Sequence, residues 1–315
     1  MSGPLQTFHR GARAGDLDGD GFADVAVSEF DLAGVGASAK GIVRLYRGRS
    51  DFSLAGPINF VPPEGTTAAQ FGAALEGGVD SNADGYAELF ILDNDDGFLH
   101  VVRGKGEGSP TIDASVESPS LVADDYAIWS ELFGAGDVEA DGYDDLAISI
   151  TGEDGLGIHV LSGGIELPAE PVTKFVIENP YFMMEWSGGV DLGSDGRSDL
   201  VVHAMESVDN TSRLFVLPGS EEEQSAEDLV NLGSYDIKLV GRRGMARGDY
   251  DGDGVLDLSL GEGGGTKRQL LRGGTTGQAA PECEQAPASF ATVGDWCAVE
   301  VTPISAPGYV GSPAR

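Results

Sequence analysis

A chain of 315 residues with 52 acidic against 19 basic side chains carries a formal net charge of −33, which excludes nucleic acid and anionic membrane as partners, because both are held by basic surface. Apolar content of 41% with 48 glycines is that of a folded chain, and no apolar run approaches the roughly 18 to 20 residues of a membrane span. Length alone leaves a choice between two average domains and one large all-β domain.

The N-terminus, Met1 to Gln6, has no charged region followed by an apolar core, so no signal peptide is read here. The expectation is a secreted or cell-surface chain whose leader has been removed, or an excised part of a longer secreted chain. The first informative stretch is Gly15-Asp16-Leu17-Asp18-Gly19-Asp20-Gly21-Phe22-Ala23-Asp24. Carboxylates on alternate residues of a tight loop converge on one point, a glycine takes the bend that a side chain would obstruct, and the seventh residue adds its main-chain carbonyl. Asp16, Asp18, Asp20, Asp24 and the carbonyl of Phe22 therefore read as the hard-oxygen shell of a calcium ion. An EF-hand opens in the same way but closes on a bidentate Glu at position twelve between two helices; here that position is Val27. The apolar run Val25-Ala26-Val27 reads as a buried strand, so the loop joins two strands.

After a polar stretch from Ser28 to Lys40, a second strand runs from Ile42 through Tyr46 and ends on Gly48. The same events then recur. The second loop supplies Asp80, Asn82, Asp84 and Glu88 with the carbonyl of Tyr86, and is followed by Leu89-Phe90-Ile91-Leu92 and by Phe98 to Gly104. The third supplies Asp137, Glu139, Asp141 and Asp145 with the carbonyl of Tyr143, followed by Leu146-Ala147-Ile148 and by Ile158 to Gly163. The fourth supplies Asp191, Asp195 and Asp199 with the carbonyl of Arg197; Gly193 offers no third-position oxygen, so a water must substitute. Leu200-Val201-Val202 and Leu214 to Gly219 follow it. The fifth supplies Asp249, Asp251, Asp253 and Asp257 with the carbonyl of Val255, followed by Leu258-Ser259-Leu260 and Gln269 to Gly273. A weaker fourth strand closes most periods, as in Val172 to Ile177 and Tyr235 to Val240.

Successive loops start 64, 57, 54 and 58 residues apart, the period of a repeat architecture. Four short strands per period make one antiparallel sheet too small to be stable alone. Stacked radially, such sheets bury both faces, which explains strands that are apolar on consecutive residues. The expected fold is all-β, a β-propeller forming one domain over residues 1–315. Its four-stranded antiparallel blades fall in repeats of approximately 5–61, 62–118, 119–178, 179–232 and 233–280. Residues 281–315, with the loop remnant Gly294-Asp295-Trp296, form a degenerate sixth blade or a ring-closing segment. Cys283 and Cys297 suit one disulfide clamping this segment, with two free thiols as the alternative.

Phe71-Gly72, then Gly78-Val79-Asp80-Ser81-Asn82-Ala83-Asp84-Gly85-Tyr86, then an apolar strand, resembles the FG-GAP repeat of the integrin α-subunit propeller and its bacterial relatives, over residues 5 to about 275. The resemblance implies a propeller of about seven blades, calcium in the hairpin loops of one face, and ligands on the other. The five loops hold 18 of the 52 acidic residues, and five bound calcium ions would bring the net charge from −33 to −23.

His100 and His159 stand four residues before a strand-ending glycine, in register with Arg44, Phe215 and Gln269, a tolerant position expected on a blade surface. His9 and His203 have no partner identifiable in the sequence. No nucleophile elbow, phosphate loop or zinc spacing occurs, so no catalytic residue is assigned and the enzyme reading comes second. Tyr126-Ala127-Ile128-Trp129 and the stretch from Tyr181 to Trp186 precede loops in connections between blades. Core packing is their first expectation, and stacking on sugar rings or gripping a protein the second. The functional expectation is an extracellular module with four or five calcium ions that recognises a protein or a glycan. Its ligand engages the face opposite calcium, through the Ser28 to Lys40 loop, Tyr126, Trp129, Tyr181 and Trp186. The alternatives are a polysaccharide lyase or glycoside hydrolase on the same scaffold, and a sugar-binding lectin.

Overall fold

The computed structural model describes residues 7–31, 41–64, 70–94, 97–106, 109–117, 131–152, 155–169, 171, 173–178, 181–191, 195–206, 212–217, 219, 235–239, 245–248, 257–261, 268–272, 290–293 and 296–301. Among them there is no helix, and the strands form five antiparallel sheets that follow one another along the chain. The first sheet is β1 (Thr7–Gly15), β2 (Asp24–Asp31), β3 (Ile42–Tyr46) and β4 (Ile58–Phe60), in that order. The second is β5 (Phe71–Val79), β6 (Glu88–Asp93), β7 (Phe98–Val102) and β8 (Ile112–Glu117). The third is β9 (Glu131–Gly136), β10 (Asp145–Gly152), β11 (Gly155–Leu161) and β12 (Thr173–Glu178). The fourth is β13 (Tyr181–Val190), β14 (Asp199–Glu206), β15 (Ser212–Leu217) and β16 (Tyr235–Leu239). The fifth has β17 (Met245–Gly248), β18 (Asp257–Gly261) and β19 (Arg268–Arg272), with β21 (Trp296–Val301) beside β19 and β20 (Phe290–Val293) outside it.

Both strands expected after each acidic loop are therefore present. Two expectations need correction. Residues 296–301 pair with β19 and residues 290–293 pair with 296–301, so that both become outer strands of the fifth sheet, because β19 has a free edge that a C-terminal hairpin satisfies. The stretch read as a loop from Ser28 begins as strand: β2 continues to Asp31, and Ser28 is buried with its hydroxyl accepting the Arg10 N–H. Residues 32–40, Tyr126, Trp129, Gly193, Asp249, Asp251, Asp253, Val255 and Cys283 lie outside the described residues.

Alternate residues of the second strands face opposite neighbours, which is why those strands are apolar throughout. Leu89 and Ile91 of β6 pack with Ala26, Val43, Leu45 and Phe71, between the first and second sheets. Phe90 and Leu92 of the same strand pack with Leu132, Leu146 and Ile148, between the second and third. Phe133 and Ala147 then meet Leu200 and Val202, between the third and fourth. The second and third sheets thus bury both faces, and the described residues form a series of inter-sheet cores rather than one centre.

The first strands β1, β5, β9, β13 and β17 lie against one another in sequence. Close approach there requires glycine: a Cβ at Gly136, whose φ is 72°, would stand 2.5 Å from the Cα of Gly189. Arg10 of β1 reaches past the second sheet to Glu131 of β9, Nη1 to Oε1 at 3.5 Å. The equivalent register position in β5, opposite Leu92, is the small Ala74.

His100 is not on a sheet surface. It is buried, its Nδ1 lies 2.7 Å from Ser115 Oγ, and its ring sits 5.2 Å from Phe71 and 5.9 Å from Phe98. The position accepts an imidazole because a neighbouring hydroxyl and two aromatic rings satisfy it. His203 is buried as well. Trp186 packs as an inter-sheet plug, its ring stacked on Phe133 at 4.4 Å and half buried against the third core.

Candidate metal centres

Every described acidic loop has the same internal wiring. The first acid receives two main-chain N–H groups, those of the fifth and sixth residues: Asp16 from Asp20 and Gly21 at 3.1 and 2.8 Å, Asp80 from Asp84 and Gly85 at 3.1 and 2.9 Å. Asp137 receives Asp141 and Gly142 at 2.9 Å each, and Asp191 receives Asp195 and Gly196 at 3.1 and 2.9 Å. The fifth acid turns back to the N–H of the seventh residue: Asp20 to Phe22, Asp84 to Tyr86, Asp141 to Tyr143, Asp195 to Arg197. These bonds fix the orientation of the first and fifth carboxylates in each loop. The sixth glycines have φ of 87°, 89°, 92° and 88° at Gly21, Gly85, Gly142 and Gly196, a left-handed bend that side chains resist. The fourth residue is left-handed too, as Gly19 at 70°, Ala83 at 55° and Ala140 at 60°.

In the first loop, Asp16, Asp18 and Asp20 each offer an oxygen, all within 4.8 Å of one another. Third-position acids also meet the end of β3 or β11: Arg47 pairs with Asp18 at 3.2 Å, and the Ser162 hydroxyl donates to Glu139 at 3.3 Å. Sequence reasoning missed these two partners, which stand immediately before the strand-ending glycines Gly48 and Gly163.

The ninth acid has a second role that the sequence reading did not assign. Asp24, Glu88, Asp145 and Asp199 are buried at the start of β2, β6, β10 and β14. Asp24 accepts the N–H of Leu17 at 3.3 Å through Oδ2 and that of Gly48 at 2.9 Å through Oδ1. Asp145 accepts those of Val138 at 2.7 Å and Gly163 at 2.8 Å, and Asp199 accepts that of Gly219 at 2.9 Å. Glu88 holds both the N–H and the hydroxyl of Ser81 through Oε2, at 2.7 and 3.0 Å. Asp24, Asp145 and Asp199 thus staple the loop to the end of the third strand, whereas Glu88 binds the second residue of its own loop. The signal was present in the sequence as the recurrence of that glycine.

Burial raises several of these acids. Desolvation pushes Glu88 and Asp145 up to about 7 against their neighbours' hydrogen bonds, with nearby loop carboxylates adding to it. Asp24 and Glu139 are raised for the same first cause. The donor set fits a hard divalent cation. Among the described residues, Asp18 Oδ1 and Glu88 Oε1 are buried oxygens that no hydrogen-bond donor reaches, and such oxygens are costly unless something positive meets them.

The fold and the loops together define an all-β protein of successive antiparallel sheets with carboxylate-rich hairpin loops. No family model matches the chain. Among solved structures it is similar to the exotype rhamnogalacturonan lyase YesX, at 15% identity and a TM-score of 0.43, covering 81% of this chain and 46% of that one. It is also similar to the rhamnogalacturonan lyase YesW, at 14% identity and a TM-score of 0.40, covering 81% and 47%. The chain spans about half the length of these two structures.

Proposed function

We propose that this protein is a calcium-stapled β-propeller of the FG-GAP kind that acts outside the cell as a recognition module for a protein or a glycan. The observation that carries the metal assignment is the repeated loop whose buried acids retain undonated oxygens at Asp18 and Glu88. Asp16, Asp18, Asp20 and Asp24, with their counterparts in the other loops, would hold the ions, and the Phe22, Tyr86, Tyr143, Arg197 and Val255 carbonyls would complete each shell. A bound calcium ion supplies charge neutralisation and cross-linking of loop to strand, not chemistry on a substrate. The radial arrangement is supported by inter-sheet cores that repeat in sequence order and by the Arg10–Glu131 pair across the second sheet.

Rigid loops at one end leave recognition to the opposite end, where the connections differ most in length. The alternative is a polysaccharide lyase on the same scaffold, both structural neighbours being rhamnogalacturonan lyases; a direct assay separates the readings. The protein is loaded with calcium, its metal content is measured, and it is applied to a glycan array and incubated with pectic polysaccharide. Binding without new unsaturated chain ends supports the recognition module. Appearance of unsaturated ends replaces it with the lyase, and metal-free protein after calcium loading overturns the calcium assignment.

A further inference from the structure

The hydrogen bond from Gly48 to Asp24, and its counterpart from Gly163 to Asp145, fixes the end of the third strand against the loop. The residue before each glycine is thereby set beside the third position of the loop. In the first sheet that residue is Arg47, whose Nη1 lies 3.2 Å from Asp18 Oδ2, while Asp18 Oδ1 is buried and reached by no donor. In the third sheet it is Ser162, which gives Glu139 an uncharged hydroxyl at 3.3 Å. The second sheet has Arg103 at this place, but its third-position residue is the neutral Asn82, whose amide bonds Asp84 within the loop. There the guanidinium serves another partner and donates from Nη2 to the Ile165 carbonyl, in the connection after β11. In the fourth sheet the two positions are Gly193 and Pro218, neither with a polar side chain. The chemistry of the residue before the glycine therefore differs from loop to loop, and the two loops with an acid at the third position differ by a full charge.

We propose that the residue before the strand-ending glycine sets the calcium affinity of its loop, and that among the first four loops the one at Asp137 is the tight site while Arg47 holds the one at Asp16 weaker. The inference rests on the calcium reading proposed above. Carboxylates alone rank the two loops equal, with Asp16, Asp18, Asp20 and Asp24 in one and Asp137, Glu139, Asp141 and Asp145 in the other. The affinity of such loops follows the charge of the ligand set and its rigidity. Arg47 acts on both, in opposite directions. Its charge repels a cation at the ligand it pairs with; its hydrogen bond orients Asp18 in advance. The Arg47 side chain is 39% exposed, so its charge acts through a water-like dielectric, where a unit charge one salt bridge away from a ligand changes the affinity for a divalent ion by about tenfold. Orienting one short side chain with few rotamers saves less than that, so the charge prevails. Ser162 orients Glu139 in the same way and brings no charge, which leaves the third loop with the larger pull on a cation.

The test starts from the full calcium-loaded chain, from which calcium is withdrawn by a buffered chelator. Each loop is read separately through the amide resonance of its sixth glycine, Gly21 in the first and Gly142 in the third, because those N–H groups bond the first acids Asp16 and Asp137. Gly21 should leave its calcium-bound position at about tenfold higher free calcium than Gly142. R47S should bring the Gly21 midpoint down by about tenfold with Gly142 unmoved, S162R should raise the Gly142 midpoint by a similar factor, and R47K, which keeps the charge, should leave Gly21 within about threefold of the parent. A common midpoint, or Gly142 releasing calcium first, overturns the inference. So does an R47S variant whose Gly21 midpoint rises, which would make Arg47 a residue that helps the metal by positioning Asp18. Equal shifts in R47S and R47K overturn it as well, since a purely structural role responds to both. If S162R does not fold, the Arg47 variants decide the matter on the first loop. Elemental analysis of the loaded chain keeps the two readings apart: no bound calcium refutes the calcium assignment itself, whereas calcium bound with the wrong order of release refutes the ranking alone.

Discussion

Replacing the ninth acid of the third loop, Asp145→Asn, should stabilise the protein without calcium and forfeit most or all of that gain with it. Asp145 is fully buried and binds two main-chain N–H groups, those of Val138 and Gly163. Burial lifts its carboxyl from 3.8 to about 7, so holding it ionised at pH 8 in the absence of a cation costs about 4 kcal/mol at 1.36 kcal/mol per pH unit. Asn removes that cost but turns an NH2 toward one of the two donors, leaving a buried N–H unsatisfied at roughly 1–3 kcal/mol. In chelator at pH 8 the variant should therefore be more stable than the parent by about 1–3 kcal/mol. In saturating calcium it loses a charged ligand, and a hundredfold loss of affinity at that site removes about 2.7 kcal/mol. Chemical denaturation in calcium and in chelator measures both. A variant destabilised equally in the two conditions would show that Asp145 is a structural staple with no part in metal binding.

The other expectations follow from the same loops. Because the folded-state pKa values of Glu88 and Asp145 are raised, their contribution is fully present below about pH 4 and is lost as pH rises through about 7; calcium-free protein should lose stability between pH 5 and 8, and a flat profile counts against the burial argument. Chelator should lower the melting temperature of the parent, and Asp20→Ala should cost more than Asp195→Ala in saturating calcium, since the fourth loop has Gly193 where the first has Asp18; the reverse order of melting temperatures refutes the ranking. Ala83→Gly and Ala140→Gly relieve left-handed backbone at φ of 55° and 60° and should stabilise by up to about 1 kcal/mol; a loss of stability would place the strain elsewhere. Phe133→Ala should cost roughly 3–5 kcal/mol by opening the core beneath Trp186, and a cost under 1 kcal/mol in denaturant melts would mean that this pair does not carry the interface between sheets three and four.

Local order along the chain was legible without coordinates because each repeat writes it in nearest-neighbour chemistry. Alternate acids with glycine sixth specify a left-handed loop, and the loop in turn specifies that the strands on either side pair antiparallel. The apolar runs after Asp24, Glu88, Asp145 and Asp199 likewise announced strands buried on both faces, and β2, β6, β10 and β14 are those strands. What depends on residues brought together from distant positions was not legible. The C-terminal hairpin could be counted as a sixth unit from its loop remnant, yet only pairing with β19 decides that it extends the fifth sheet. His100 and Arg44 occupy one register position and differ in burial, because the first sheet covers that face of the second.

The sequence by itself determined the all-β class, the repeat of short antiparallel strands and the residues of the acidic loops, since all of these are set by contacts between residues close in the chain or by a periodic pattern. Only the tertiary structure decided that the ninth acid ties the loop to the end of the third strand, as Asp24 does with Gly48 and Asp145 with Gly163. It also decided that Trp186 is a plug beneath the sheet surface, and that Val25 and Phe22 stand open where Leu89 and Tyr86 are covered. The physical reason is that a side chain's burial and its proton affinity depend on what a neighbouring repeat places against it, and a repeat pattern that is nearly identical in every copy carries no mark of what each copy packs against.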